Sequence, residues 1–203
     1  MFDAKLRRYI DPSLNRIARD VAQAGISADH VTLAGALVGL IAAVMIALGA
    51  PLAGLALFLA GRVLDGLDGA VARQTKPTNL GAYLDIVLDF AVYGAIPLSF
   101  AFHDPSQNAV AAAVLLASFL LNGAAFLGFA LMAEKLHLET QAQGYKSLYY
   151  MGGLAEGAET IMCFTLMCLL PGWFSMIALS FAALCIVSGV ARIVLAWRLL
   201  NGS

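Results

Sequence analysis

Four aspartates lie within two apolar segments of the sequence, and their spacing is the first indication of chemistry. Asp65 and Asp68 are three residues apart, and Asp85 and Asp89 are four apart, so each pair projects from one side of a helix. An aspartate costs about 2.5 to 3.5 kcal/mol at the centre of a membrane helix, and acids in such segments therefore mark functional sites. Four carboxylates of this kind predict a site for hard divalent cations.

The two pairs also match in depth. With a helical rise of about 1.5 Å per residue, Asp68 lies about 7 Å and Asp65 about 12 Å from the polar connection between the segments. On the way back out, Asp85 lies about 6 Å and Asp89 about 12 Å from it. The short connection predicts antiparallel neighbouring helices, so the four carboxylates should face one another. Two Mg²⁺ or Mn²⁺ ions are the expected cofactors, an arrangement that clamps the attacking and leaving oxygens of a phosphoryl displacement.

A purely structural explanation of the acids remains as an alternative. They could be buried carboxylates that form salt bridges with Arg62, Arg73 and Lys76. This accounts for one contact, since Arg62 and Asp65 are three residues apart. It accounts poorly for four acids, because the chain offers no equal number of buried bases.

The composition indicates the elements that must position these residues. Of the 203 residues, 61% are hydrophobic and 12% are charged, whereas soluble domains average about 45 to 50% apolar and about 25% charged residues. We predict an all-α integral membrane protein with six transmembrane helices and an N-terminal amphipathic interfacial helix. One domain should cover residues 1–203, with a juxtamembrane segment at 1–29 and a bundle at 31–198. Spans of about 20 apolar residues are predicted at residues 31–50, 52–72, 81–102, 108–132, 151–170 and 173–197.

The N-terminal segment has an apolar stripe at helical spacing, with basic residues between its members. The stripe consists of Phe2, Leu6, Ile10, Leu14, Ile17 and Val21. Such a pattern is typical of a helix lying in the membrane interface. A helix that packs on its own bundle also hides an apolar stripe, and both alternatives remain open.

Basic residues are distributed on one side of the predicted bundle. They occur in the N-terminal segment, in the connections 73–80 and 133–149 and near the C-terminus, and the opposite connections have none. Because cytoplasmic loops collect Lys and Arg, both termini and both polar loops should be cytoplasmic. We expect a multi-pass protein of a bacterial inner membrane. The formal net charge of -1 argues against a nucleic-acid partner, which requires a basic face.

Two strings in the sequence resemble the signature of the CDP-alcohol phosphatidyltransferase family, D-x-x-D-G-x-x-A-R followed by G-x-x-x-D-x-x-x-D. They are DGLDGAVAR at residues 65–73 and GAYLDIVLD at residues 81–89, with all eight fixed positions present. The resemblance implies an enzyme in which a hydroxyl attacks the β-phosphorus of a CDP-linked lipid. CMP is released and a phosphodiester remains in the membrane. The family also has six spans and a basic N-terminal helix, and it suggests a homodimer.

The resemblance implies roles for individual residues. Three aspartates become metal ligands, and Asp89, which lies near the metals and is a fourth candidate ligand, becomes the general base for the acceptor hydroxyl. The implied ligands are Asp65, Asp68 and Asp85. The CDP contacts implied or suggested are Thr32, Asp65, Gly69, Ala72, Arg73 and Gly81. Small residues leave room for the nucleotide, and arginine offers a planar donor fork to a phosphate. The chain departs from the family at Ala28-Asp29, where Pro-Asn is common.

The acceptor alcohol is the least specified part of the expected reaction. Candidate contacts are Arg62, Lys146, Glu156, Glu159 and Arg192. Their mixed charges favour an amino-containing alcohol such as serine, whose carboxylate and ammonium would each meet an opposite charge. Glycerol 3-phosphate or an inositol phosphate is the alternative acceptor.

An ion-coupled transporter would also carry acids in its spans, and it is the alternative from another functional class. Transporters favour sites near the midplane of the bilayer with broken helices and inverted repeats. In this chain the acids lie near one face, and the six predicted spans form no evident inverted pair. The acids therefore favour an enzyme.

Overall fold

A computed structural model describes residues 14–135 and 157–200, and every regular element within these two ranges is helical. The first helix, α1, covers residues 14–23. The others are α2 (Ala28–Ala47), α3 (Pro51–Gln74), α4 (Asn79–His103), α5 (Pro105–Lys135), α6 (Gly157–Leu169) and α7 (Phe174–Leu200), with a 3₁₀ turn at Pro171–Trp173. The predicted all-α class is confirmed.

Helix ends in the first half of the bundle follow local chemistry. The Ser27 hydroxyl caps α2 by accepting from the backbone N–H of His30, and Thr78 caps α4 in the same way. Pro51 begins α3, where its missing N–H costs nothing. The turn between α2 and α3 contains Gly49 at a φ of 84°, a left-handed conformation that favours glycine. Both connections are therefore short, and α3 and α4 each pack on α2.

Glycines allow α2 to approach α3 and α4 closely. A Cβ added at Gly61 would lie 3.0 Å from the carbonyl oxygen of Gly35, and one added at Gly39 would lie 2.9 Å from a Val92 methyl group. Small residues at such contacts are typical of membrane bundles, in which helices associate by close packing and polar contacts rather than by exclusion from water. This close packing fixes the relative positions of α3 and α4, which carry the four aspartates.

The core of the bundle is rich in aromatic rings. Phe164 on α6 packs edge-on against Phe58 at a centroid distance of 5.5 Å and against Tyr93 at 5.9 Å. Phe119 on α5 contacts Phe181 on α7 at 5.8 Å. Edge-to-face pairs of this kind stabilise a fixed arrangement, and they connect α3 and α4 to the second half of the bundle.

Four helical segments are long and apolar enough to cross a membrane. They are Ala28–Ala47, Asn79–His103, Pro105–Lys135 and Pro171–Leu200, as judged within the described residues. Helix α3 has sufficient length but carries the charged cluster, and α6 has 13 described residues. The predicted count of six spans therefore stays a prediction.

Helix α1 packs on the bundle. Ala18 is fully buried, and Leu14 and Val21 contact a cluster that includes Leu67 and Val71. The Gln74 side-chain amide also donates to the Asn15 carbonyl at 2.9 Å. Residues 1–13 of the predicted amphipathic segment lie outside the described residues. The described part thus covers part of its apolar stripe with α2 and α3.

Candidate active site

Three carboxylates meet between α3 and α4, which pack on α2 rather than on each other. Asp65 and Asp68 come from α3 and Asp85 from α4, and one oxygen of each lies within 4.8 Å of the others. Asp68 is buried at 7% exposure, whereas Asp85 is exposed. The structure thus brings together three of the four aspartates that the sequence predicted to converge.

The chemistry of this three-carboxylate group suits a divalent cation. All three donors are hard oxygens, which Mg²⁺ and Mn²⁺ prefer. One cationic side chain approaches the group, with Arg62 Nη1 3.5 Å from Asp65 Oδ2. Within the described ranges, Arg73 and Lys76 form no salt bridge with these acids. The group therefore keeps an excess of negative charge that a bound cation would compensate.

Asp89 lies next to this group and makes the shorter contact with the same arginine. Arg62 Nη1 donates to Asp89 Oδ1 at 2.6 Å, which joins α3 to α4. The salt-bridge explanation of the acids thus accounts for Asp89 and, more loosely, for Asp65. It leaves Asp68 and Asp85 without a positive partner in the described residues.

Thr32 contacts one of the candidate metal ligands. Its hydroxyl donates to Asp68 Oδ2 at 2.6 Å and lies 3.1 Å from the carbonyl oxygen of Ala28. A hydroxyl has one proton, and the shorter contact is the one to the carboxylate. Thr32 therefore orients Asp68 from α2, a role that sequence reasoning missed because the two residues are 36 positions apart.

The two glycines expected near the nucleotide differ in their surroundings. A Cβ at Gly81 would lie 2.5 Å from Asp29 Oδ1 and 2.9 Å from Thr78 Oγ1, so the chain itself requires glycine there. Thr78 donates to Asp29 at 3.2 Å and holds the start of α4 against α2. At Gly69 the nearest atom to such a Cβ is Arg73 Nη1 at 3.6 Å. Packing does not require glycine at position 69. We call Gly69, Ala72 and Arg73 the open strip of α3.

The remaining expected nucleotide contacts lie on the last turns of α3. Ala72 is half-buried, and Arg73 is exposed in the last turn of the helix. Both follow Gly69 along α3. The Arg73 guanidinium is the nearest group to a Cβ built at Gly69.

A cavity of about 900 Å³ borders Asp85 and Asp89. Its described lining residues include four further polar side chains, Tyr93, Asn122, Thr160 and Arg192. The rest of the described lining is mainly apolar, as at Ile86, Phe90, Leu116 and Phe119. Asn122 Oδ1 is buried and accepts no hydrogen bond within the described structure. The cavity thus combines a few polar groups with a mainly apolar lining.

The acceptor candidates are distributed unevenly around this cavity. Arg192 lines it, with its guanidinium 5.1 Å from the ring centroid of Phe126. Arg62 engages Asp89 instead. Glu159 lies in the first turn of α6 and is not among the described lining residues. Lys146 and Glu156 lie outside the described residues.

Comparisons with known proteins show which family the chain resembles. The model of the CDP-alcohol phosphatidyltransferase family matches residues 26–200. The chain is 43% identical over 193 residues to the inner membrane protein YnjF of Escherichia coli K12, covering 95% of this chain and 94% of that protein. It is also 43% identical over 89 residues to the archaetidylinositol phosphate synthase of Methanothermobacter thermautotrophicus, covering 43% of this chain and 42% of that protein.

A solved structure has the same fold. It is the crystal structure of Mycobacterium tuberculosis phosphatidylinositol phosphate synthase (PgsA1) with CDP-DAG bound. The TM-score is 0.75 at 22% identity, over 91% of this chain and 93% of that one. The same enzyme in complex with manganese and citrate gives a TM-score of 0.73 at 22% identity, over 91% and 88% of the two chains.

Proposed function

Because this chain belongs to the CDP-alcohol phosphatidyltransferase family, we propose that it transfers a phosphatidyl-type group from a CDP-linked lipid to a polar alcohol and releases CMP. The observation that carries the proposal is the group of three carboxylates within 4.8 Å of one another, with Asp89 beside it. The donor is supported by the CDP-DAG in the structural neighbour. We further propose that residues 1–203 form one catalytic domain that works as a homodimer.

In this reaction Asp65, Asp68 and Asp85 would hold one or two Mg²⁺ or Mn²⁺ ions. Such ions neutralise the charge of the diphosphate and make its phosphorus easier to attack. Asp89 accepts the proton of the acceptor hydroxyl as the new oxygen–phosphorus bond forms. The bond from the β-phosphorus to the oxygen that bridges to CMP breaks, and CMP leaves with the electron pair. Manganese in the structural neighbour supports the choice of ion.

The nucleotide would lie along the open strip on α3. Gly69 and Ala72 leave room for it, and Arg73 at the end of the strip would bind a phosphate through its donor fork. Thr32 and Gly81 would contribute indirectly. Thr32 fixes Asp68, and Gly81 allows the tight start of α4 against Asp29. Asp65 would bind the metal and would also lie at the site of the diphosphate.

For the acceptor we favour a phosphorylated polyol, such as an inositol phosphate or glycerol 3-phosphate. Such a group carries about two negative charges, and Arg192 is the one positively charged side chain among the described lining residues of the cavity. Asn122 and Thr160 offer polar contacts for hydroxyls. The partial similarity to an archaetidylinositol phosphate synthase agrees with this choice. An amino alcohol would need a carboxylate other than the metal ligands and the base, and Glu159 is not among the described lining residues.

The proposed reaction predicts metal-dependent release of CMP from CDP-diacylglycerol by the purified full-length protein. An acceptor panel with Mn²⁺ or Mg²⁺ should give the fastest release with a phosphorylated polyol, because the cavity presents Arg192 to its phosphate. Excess chelator should abolish release, and added Mn²⁺ should restore it. Full activity in chelator would contradict the reaction. Faster release with serine than with either phosphorylated polyol would contradict only the choice of acceptor.

The protein is a multi-pass membrane protein, and we propose that its termini, the active site and the polar connections 73–80 and 133–149 face the cytoplasm. The one-sided distribution of basic residues supports this orientation. In intact cells, a membrane-impermeant maleimide should label a cysteine introduced at Ser106 and should miss one introduced at Lys76, with the three native cysteines replaced by alanine. Both positions are exposed. Labelling at Lys76 alone would reverse the proposed orientation.

A further inference from the structure

The acids of the candidate metal site lie on two helices that pack on a third. Asp65 and Asp68 are on α3 and Asp85 is on α4, and both helices pack extensively on α2 rather than on each other. The connection between α3 and α4 joins them only at one end. The distance between the acids of α3 and the acid of α4 therefore depends on how closely each helix approaches α2.

Helix α2 meets α3 at the turns that carry the first two acids. A Cβ added at Gly35 would lie 3.2 Å from Leu64 Cβ and 3.5 Å from the backbone nitrogen of Asp65. One turn earlier on α2, the Thr32 hydroxyl donates to Asp68 Oδ2. The glycine thus lets α2 lie directly against the backbone of α3 at Asp65.

Helix α2 meets α4 through a second glycine, next to the acids of that helix. A Cβ added at Gly39 would lie 2.9 Å from both methyl carbons of Val92, which is fully buried. A β-branched side chain is stiff about its first torsion, so Val92 cannot turn away. Carbon atoms in ordinary contact are about 3.5 Å or more apart, and a side chain at position 39 would therefore push α4 outward by about half an ångström.

A displacement of this size matters for a metal site. The groups that bind a ligand must be held within about 0.5 Å of their productive geometry. Magnesium requires nearly octahedral oxygen ligands at about 2.0 to 2.1 Å, whereas calcium accepts ligands at about 2.3 to 2.6 Å in more flexible arrangements. The two ions thus differ in ligand distance by about as much as α4 would move if position 39 carried a methyl group.

We propose that α2 is the spacer of this metal site, and that Gly39 is a positioning residue that holds α4 close enough to α3 to select an ion of the size of Mg²⁺ over the larger Ca²⁺. Gly35 holds α3 in the same way on the other side of the site. This role rests on the proposed function only in that the three-carboxylate group binds a divalent cation. It is carried by packing contacts between helices, and neither glycine offers a ligand to the ion.

The test is the ratio of Mg²⁺ affinity to Ca²⁺ affinity in the purified full-length protein, measured by isothermal titration without substrate. In G39A the added methyl group displaces α4 while α3 remains in contact with Gly35, so this ratio should fall at least about tenfold relative to the wild type. In G39A/V92A the two opposing methyl groups are absent, and the ratio should return to within about threefold of the wild type.

The matched control is G54A, at the opposite end of α3 from the acids. A Cβ at Gly54 would overlap the Ile46 side chain and lie 2.9 Å from the Ala42 carbonyl oxygen, so this variant disturbs another close contact between α2 and α3. Gly54 lies about 16 Å from Asp65 along the helix. G54A should therefore lower the unfolding temperature but leave the ratio of affinities within about threefold of the wild type.

Two results would overturn the spacer role. One is a folded G39A whose ratio stays within about threefold of the wild type, and the other is a ratio in G39A/V92A that remains at the G39A level. If G39A does not fold, G35A decides, because its methyl group displaces α3 and should lower the ratio in the same direction. An unchanged ratio in G35A would then overturn the role.

The same measurements distinguish a failure of this role from a failure of the proposed function. A wild type that binds Mg²⁺ but releases no CMP with any acceptor contradicts the proposed reaction, and the titrations still decide whether α2 sets the choice of ion. A wild type that binds neither ion contradicts both the metal site and its spacer.

Discussion

The D68N variant is expected to lose CMP release by at least about a thousandfold, because metal ions supply several kcal/mol of transition-state stabilisation. Asp68 is the buried member of the three-carboxylate group, and its Oδ2 accepts a hydrogen bond from the Thr32 hydroxyl at 2.6 Å. Asparagine has nearly the same shape but removes the negative charge that a divalent ion requires. Mn²⁺ binding should therefore weaken together with activity, and CDP binding should lose its dependence on Mn²⁺.

The matched control for this variant is D20N. Asp20 is exposed on α1, so the same chemical change there should leave Mn²⁺ binding and CMP release at wild-type levels. Activity should be measured at saturating Mn²⁺ in both variants, and a thermal unfolding curve should establish that D68N remains folded. A folded D68N that retains more than about a tenth of the wild-type rate would exclude Asp68 as a required metal ligand.

The D89N variant is expected to lose about a thousandfold in kcat while it keeps its affinity for Mn²⁺ and CDP. The loss of a general base costs about 10² to 10⁴ in rate. Asp89 lies outside the three-carboxylate group, and an asparagine amide oxygen can still accept from Arg62 at the position of Oδ1. Metal and nucleotide should therefore bind within about threefold of the wild type, as isothermal titration can measure.

The comparison between D68N and D89N separates the two roles of the acids. If D89N loses Mn²⁺ affinity to the same extent as D68N, Asp89 is a fourth metal ligand and another group must accept the proton. The sequence alone allowed both roles for Asp89. The contact of Asp89 with Arg62 favours the role of general base.

The helices and the convergence of the acids could be predicted because they depend on local properties of the chain. Apolar length defines α2, α4, α5 and α7, and the spacing of the aspartates fixes the side of each helix from which they project. A short connection then keeps the acidic parts of α3 and α4 near each other, although both helices pack on α2. These inferences need no knowledge of how distant residues pack.

The contacts that orient the acids could not be predicted, because they join residues far apart in the chain. Thr32 meets Asp68 across 36 positions, and Arg62 meets Asp89 across 27. The spacing of Arg62 and Asp65 was visible in the sequence, yet the shorter contact is the one to Asp89. Asn122 gave no signal, since a single amide in an apolar span has no pattern around it.

The charges on α3 also have a consequence for the way the protein enters its membrane. The machinery that inserts helices one at a time selects them by hydrophobicity, and Arg or Asp at a helix centre counts against insertion by about 2.5 to 3.5 kcal/mol each. Helix α3 is not among the segments apolar enough to cross alone, whereas α2 before it is. The tight turn at Gly49 joins the two. We therefore expect α2 and α3 to enter the bilayer as one hairpin, with Arg62 and Asp65 compensating each other's charge during translation.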